Sequence, residues 1–177
     1  AFEYNLTDLS LLRQFDLKVG SEGWGLTHDG STLYLTDSGH ELFHLSQETY
    51  GLVKRLAIVD PRLGHRRVYG VNELEWVEGE LWGNVFPMYQ HKASQCIVRI
   101  DASSGHVLGW IDAHGLFDRQ SERVRRQPMN AVLNGIAYHA GSGRLYVTGK
   151  MWDSMYRIRL VSTPHGPEYV SSRCSLG

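Results

Sequence analysis

Apolar residues in this chain fall into short runs rich in Val, Ile, Leu, Tyr and Trp, and Gly, Asp, Asn and Ser separate the runs. Within runs such as "TLYLTD" at 32–37 and "RLYVTG" at 144–149, large side chains alternate with smaller or polar ones. That period of two marks strands whose faces meet different surroundings. One stretch, "HGLFDRQSERV" at 114–124, carries a weak helical period. The pattern predicts an all-β chain.

Three segments share one layout: Gly23 to Ile58, Val71 to Ile111 and Leu133 to Leu160. Each has an apolar strand, a Gly-containing turn, a second strand, a variable loop and a third strand. The first two add a turn and a fourth strand. In the first unit the predicted cycle is "GLTHD", "TLYLTD", "ELFHLS" and "LVKRLAI". Trp24, Asn72 and Asn134 open the units, at spacings of 48 and 62 residues, the period of a β-propeller blade with insertions. The opening "FEYNLTDLSLLRQFDL" matches only the third and fourth strands of a unit. At the far end "YRIRLVS" reads as a third strand and "EYVSSRC" as a fourth. The prediction is one β-propeller domain over residues 1–177, about three and a half blades, without its N-terminal blades. A propeller needs at least about four blades to close, so the missing blades are expected in a longer chain or as a separate segment.

A net charge of −1, from 18 basic and 19 acidic residues, gives no electrostatic footprint for nucleic acid or an anionic membrane. No run approaches the length of a membrane span, and no signal peptide opens the sequence. The basic cluster "ERVRRQ" at 122–127 reads as a solvated loop. Cys96 and Cys174 leave both a disulfide and buried free thiols open. "NLT" at Asn5 is a glycosylation sequon, relevant in a secreted protein.

In a propeller the first strand of each blade lines the central channel, so the residues opening each unit are informative: Trp24, Asn72 with Glu73, and Asn134. Their companions end the second strands: Asp37, Phe86 and Lys150. This aromatic, amide and ammonium set suits a small ligand bearing a carbonyl or amide. Each has a plainer reading, since Asn before a strand is a common turn residue and Asp37 in "TDSG" fits a turn. Lys150, between Gly149 and Met151-Trp152, is a poor choice for packing and a good one for a positioned donor. Glu75, Trp76 and Trp82 read as structural, the tryptophans packing between sheets. His40 and His44 have a helical zinc spacing, but on a strand four residues span roughly 13 Å, too far for one metal. No G-x-S-x-G, phosphate loop or Cys-x-x-Cys is present.

Taken in order, "EGWGLTHDG", "LYLTDSG", "VNELEWVEGELWGNV", "CIVRID", "LGWI", "VLNGIAYH" and "RLYVTGKMW" resemble the glutamine cyclotransferase family, the plant and bacterial type of glutaminyl-peptide cyclotransferase. The resemblance runs from the first residues to about Leu160. It implies a five-bladed propeller that needs no metal or other cofactor. Its substrates would be peptides or proteins with N-terminal glutamine, which it converts to pyroglutamate with release of ammonia. It implies catalytic roles for Lys150 and Asn72 and a substrate pocket including Trp24, Phe86, Asn134 and Asp37. Phe86 stands where plant members carry Trp. The family's F-T-Q-G and G-E-G-L segments, the second bearing the presumed catalytic glutamate, are not in this sequence. Glu22 in "SEGWGL" mimics G-E-G but belongs to the next repeat, so the acid is expected in the N-terminal blades. The resemblance also implies the secretory route, with an extracellular or vacuolar destination.

Two other classes fit the residues. One is a metal-dependent, lactonase-like propeller hydrolase with Asn72, Asn134 and Asp37 around calcium, which Lys150 opposes. The other is a non-catalytic binding propeller that kept its pocket and lost its acid.

Overall fold

The computed structural model describes residues 1–87, 94–163, 165, 166, 169, 173 and 174. The alternating runs become antiparallel meanders in which each strand pairs with the next. β1 (Phe2–Tyr4) and β2 (Leu11–Gln14) form a two-stranded sheet. β3 (Leu26–His28), β4 (Thr32–Thr36), β5 (Glu41–Ser46) and β6 (Leu52–Ala57) form the first four-stranded sheet. A short ladder of β7 (Val59–Asp60) and β8 (Arg66–Arg67) leads to the second. That sheet contains β9 (Val71–Val77), β10 (Glu80–Val85), β11 (Cys96–Ile100) and β12 (Val107–Asp112). Two single-turn helices follow, α1 (His114–Phe117) and α2 (Glu122–Arg125). A three-stranded sheet of β13 (Leu133–His139), β14 (Arg144–Gly149) and β15 (Tyr156–Ile158) closes the order.

The four-strand cycle predicted for the first unit matches β3 to β6. Two expectations change. The basic cluster at 122–127 faces solvent as expected, but its first part is helical: α2, tied by Arg126–Glu122 and Arg123–Asp153 ion pairs. The fourth strand expected at 168–174 is not one at Tyr169, Arg173 and Cys174, which are helical; the other positions of that stretch lie outside the described residues. Side chains tie Arg173 and Cys174 to the second sheet. Cys174 is disulfide-bonded to Cys96 on β11, and Arg173 Nε lies 2.6 Å from Asp112 on β12.

Period-two alternation sends neighbouring residues into different cores. Tyr34, Leu42, Leu74, Leu81, Val98 and Ile100 fill the layer between the first and second sheets. Trp82, Ile97, Leu133, Ile136 and Val147 fill the layer between the second and third. Leu35, Phe43 and Leu45 use the other face of the first sheet, against Leu17 and Val19. The second sheet is therefore buried on both faces, each large aliphatic side chain contributing about 2 kcal/mol. As expected, Trp76 packs between sheets, stacked on Tyr34 at 5.7 Å between ring centres. The opening strands lie side by side, β9 touching β3 on one flank and β13 on the other. This brings the three unit openings to one end of the molecule. Among the described residues no helix is long and apolar enough to cross a membrane.

Candidate active site

Register fixes which residues share that end. Val85 pairs with Val71, and the Phe86 amide donates to the Gly70 carbonyl at 2.7 Å. Leu133 pairs with Gly149, and the Lys150 amide donates to the Val132 carbonyl at 2.8 Å. The Trp24 amide donates to the Thr36 carbonyl at 3.0 Å, just before β3. The starts of three first strands and the finishes of their second strands thus meet.

Lys150 sits in a tight turn closed by the Trp152 amide donating to the Gly149 carbonyl at 3.1 Å. Gly149 is required there, because a Cβ would lie 2.5 Å from the Trp152 indole. That indole donates from Nε1 to the Ala131 carbonyl at 2.8 Å, bracing the turn from below. The exposed Lys150 projects its Nζ over the Phe86 ring, 4.7 Å from the centroid. Trp24 meets the same ring edge-on, at 5.8 Å and 82°. Trp24, Phe86 and Lys150 thus form one continuous aromatic–ammonium surface, a cation–π arrangement that leaves the ammonium's donors available.

Beside this run the Asn134 side-chain amide donates to Asn72 Oδ1 at 2.6 Å, joining the second and third sheets. Asp37 is almost wholly buried, and its carboxylate accepts from the Ser21 amide (3.1 Å), the Ser21 hydroxyl (3.3 Å) and the Gly39 amide (2.7 Å). Asp37 therefore holds the loop from which Trp24 emerges. Asp37 is thus spent on that loop and Asn72 Oδ1 on Asn134, which engages two of the three side chains imagined around calcium. Glu22 is exposed.

β13 is hydrogen-bonded to β14 on one side only, so the amides on its other edge need acceptors. Side chains of the second sheet and the loop before β11 supply them. Gln95 Oε1 accepts from Leu133 (2.7 Å), Asn84 Oδ1 from Gly135 (2.8 Å) and Glu75 Oε1 from Tyr138 (2.7 Å). The Glu73 carboxyl, opposite Asn84 on the ladder, faces the same edge near the Ile136 amide. Gly135, at φ 155°, forms the bulge that lets consecutive amides reach different acceptors. Glu73 is the unusual member. Burial pushes its pKa up to about 8, against the pull of the Ile136 amide and with a further push from Glu75. Its Oε2 is buried and has no hydrogen-bond partner among the described residues.

The glutamine cyclotransferase family model matches residues 1–160. The chain belongs to the glutamine cyclotransferase family. It is 32% identical over 176 residues to a glutaminyl-peptide cyclotransferase of Arabidopsis thaliana, covering 98% of this chain and 51% of that protein. The crystal structure of Myxococcus xanthus glutaminyl cyclase superimposes with a TM-score of 0.69 at 32% identity, over 84% of this chain and 60% of that one. The chain thus spans about half the length of the curated relative and three-fifths of the solved structure.

For this member of the family, sequence reasoning assembled Trp24, Phe86, Lys150, Asn72 and Asn134 at one end. It passed over Asn84 and Gln95, and it named Glu73 only beside Asn72 as a unit opening. Asn84 and Gln95 sit in strongly apolar surroundings, "LWGNV" and "SQCIV". A lone amide in such a run is the available signal, because a buried amide requires a partner.

Proposed function

We propose that the full-length protein is a glutaminyl-peptide cyclotransferase, converting N-terminal glutamine of peptides and proteins to pyroglutamate and releasing ammonia. The observation that carries this reading is the Lys150 ammonium held over Phe86, at the same end as the Asn72–Asn134 pair. In this reaction the neutral α-amine attacks the γ-carboxamide carbon of its own residue. A five-membered ring forms, the carbonyl oxygen becomes negative, and the C–N bond to the leaving amine then breaks. Lys150 and Asn72 are the donors we assign to the developing oxyanion. Trp24 and Phe86 are the walls that keep the side chain curled, so that proximity supplies much of the rate. Asn134 holds Asn72, and Asp37 contributes through the loop it fixes. The attacking nitrogen must lose a proton and the amine leaves as ammonia only by gaining one, a transfer that a carboxyl group must relay. We assign that acid to the part of the protein beyond this chain, in keeping with the half-length match to the relative.

The fold proposed for the whole is a five-bladed propeller. Residues 1–177 would supply about three and a half blades of one domain, and a further segment the rest. The Cys96–Cys174 disulfide and the Asn5 sequon support a secretory or extracellular location. A non-catalytic binding protein would need aromatic walls but no aimed ammonium. The test is the full-length protein with a Gln-initiated peptide, following ammonia release and the matching mass loss. No turnover across neutral and mildly alkaline pH overturns the proposal.

A further inference from the structure

We propose that Asp153 is a positioning residue of this site: through its bond to Ser121 it latches the turn that aims Lys150 onto the connection between β12 and β13. The consequences for turnover rest on the cyclotransferase reading; the latch itself rests on geometry alone.

Lys150 is aimed by a turn that is strained at its next residue. Met151 sits at φ 60°, a left-handed backbone that is unfavourable for an L side chain and that glycine adopts freely. Such a residue persists only where its surroundings over-determine it. Here one segment does so. The spacing from Asn72 to Asn134 exceeds that from Trp24 to Asn72, 62 residues against 48. Part of the excess is the connection from β12 to β13, residues 113–132, and this connection contacts the Lys150 turn at several points. Its Ala131 carbonyl accepts from the Trp152 indole at 2.8 Å, and Phe117 meets the same indole at 6.4 Å between ring centres. Buried Gln120 donates from Nε2 to the Tyr156 hydroxyl at 3.2 Å, where β15 begins. Between those anchors, Asp153 Oδ2 accepts from the Ser121 hydroxyl at 2.5 Å and lies 3.5 Å from Arg123.

Ser121 is the residue before α2, where a serine oxygen ordinarily caps the helix by accepting a main-chain amide. Its side chain makes no capping bond; the hydroxyl is turned to Asp153 instead. The ion pair is secondary, because the Arg123 side chain is 62% exposed. Without the Ser121 bond the middle of the loop loses its tie to the connection, and Met151 is free to relax to negative φ. Lys150, its neighbour, would then lose its fixed reach over Phe86. Asparagine keeps an oxygen for the Ser121 hydroxyl, so Asp153→Asn preserves the latch without the charge. Alanine removes it.

The experiment uses the full-length protein as wild type, Asp153→Ala, Asp153→Asn, Ser121→Ala and the Ser121→Ala/Asp153→Ala double variant. One readout is kcat and KM for a Gln-initiated peptide. The other is the NMR signal of the Lys150 ε-methylene, assigned by its disappearance in Lys150→Arg. In the wild type the Phe86 ring should shift that signal upfield. Asp153→Ala should move it toward the position of a free lysine. The same variant should lower kcat by about tenfold or more, as misplacement of a reacting group does, while KM changes little, because Lys150 is assigned to charge that develops only during reaction. Ser121→Ala should do the same, the double variant no more, and Asp153→Asn should keep both readouts near wild type. A Lys150 signal unmoved in both alanine variants overturns the latch, and so does an equal loss in Asp153→Ala and Asp153→Asn. A wild type without turnover overturns the cyclotransferase reading, and the Lys150 signal then decides the latch alone.

Discussion

Replacing Glu73 by glutamine should stabilise the folded protein, and by an amount that depends on pH. The carboxyl has a pKa of 4.5 in the unfolded chain and about 8 in the folded one. Between these values the folded state holds a proton that the unfolded state has lost. The sign follows: stability is fully present below pH 4.5 and declines as pH rises toward 8. Each pH unit costs roughly 1.4 kcal/mol. The loss reaches roughly 3 kcal/mol at pH 7 and levels off near roughly 5 kcal/mol above the folded-state pKa. Glutamine does not titrate, so none of this loss applies to Glu73→Gln. Urea unfolding of both proteins in steps between pH 4.5 and 9 measures the difference. It should be near zero at the acid end, climb through neutrality, and flatten in mild alkali. A difference that does not change with pH would mean that Glu73 is ionised or solvated in the fold. The assignment of burial as the dominant influence would then be wrong.

Lys150→Ala in the full-length protein should lower kcat/KM for a Gln-initiated peptide by about two orders of magnitude or more, the scale of one lost oxyanion donor. Its melting temperature should hardly move, because the side chain is exposed; kinetics with circular dichroism check both, and wild-type turnover would make Lys150 incidental. Reducing the disulfide, which closes a separation of 78 residues, should cost about 2–4 kcal/mol, read as a shift in urea midpoint with and without a dithiol. A Cys174→Ser variant should show no such shift. The 177-residue chain alone should release no detectable ammonia, since general acid catalysis is worth about 10²–10⁴-fold and the acid is assigned outside it. Robust turnover by this piece, lost on Glu22→Gln, would move the acid into it.

The meander was legible in the sequence because its faces differ. Tyr34 and Leu35 are neighbours bound for separate cores, and such alternation is visible in "TLYLTD" without coordinates. The openings Trp24, Asn72 and Asn134 were legible for a related reason: a repeat puts equivalent positions at one end, whatever the loops between them do. The C-terminal segment was not legible. "EYVSSRC" has strand composition, but a covalent bond holds Cys174 to β11 and an ion pair holds Arg173 to β12, and composition carries no record of a distant partner. Glu73 was named as a unit opening, but its burial was not legible, for a different reason. A glutamate in a strand normally faces water, and burial by a neighbouring sheet is a property of the assembled layers rather than of the "NELE" stretch.

That stretch combines two tasks that sequence reasoning treats as exclusive. Asn72 faces the site, while Glu75 supplies an acceptor for the open edge of β13 and Glu73 is buried beside it. An unpaired strand edge buried between sheets would leave main-chain amides unsatisfied, at roughly 1–3 kcal/mol each. Another strand cannot fill the gap, because β9 is committed to β10 and meets β13 side on. Polar side chains of the second sheet can: Glu75 of β9 reaches the Tyr138 amide and Asn84 of β10 the Gly135 amide. The same side chains then set the distance between the two strands, and with it the reach of Asn134 to Asn72. Structural acceptors and candidate catalytic donors are therefore one ladder read at different heights. A substitution deep in it should be felt at the mouth as a change in orientation before it is felt as unfolding.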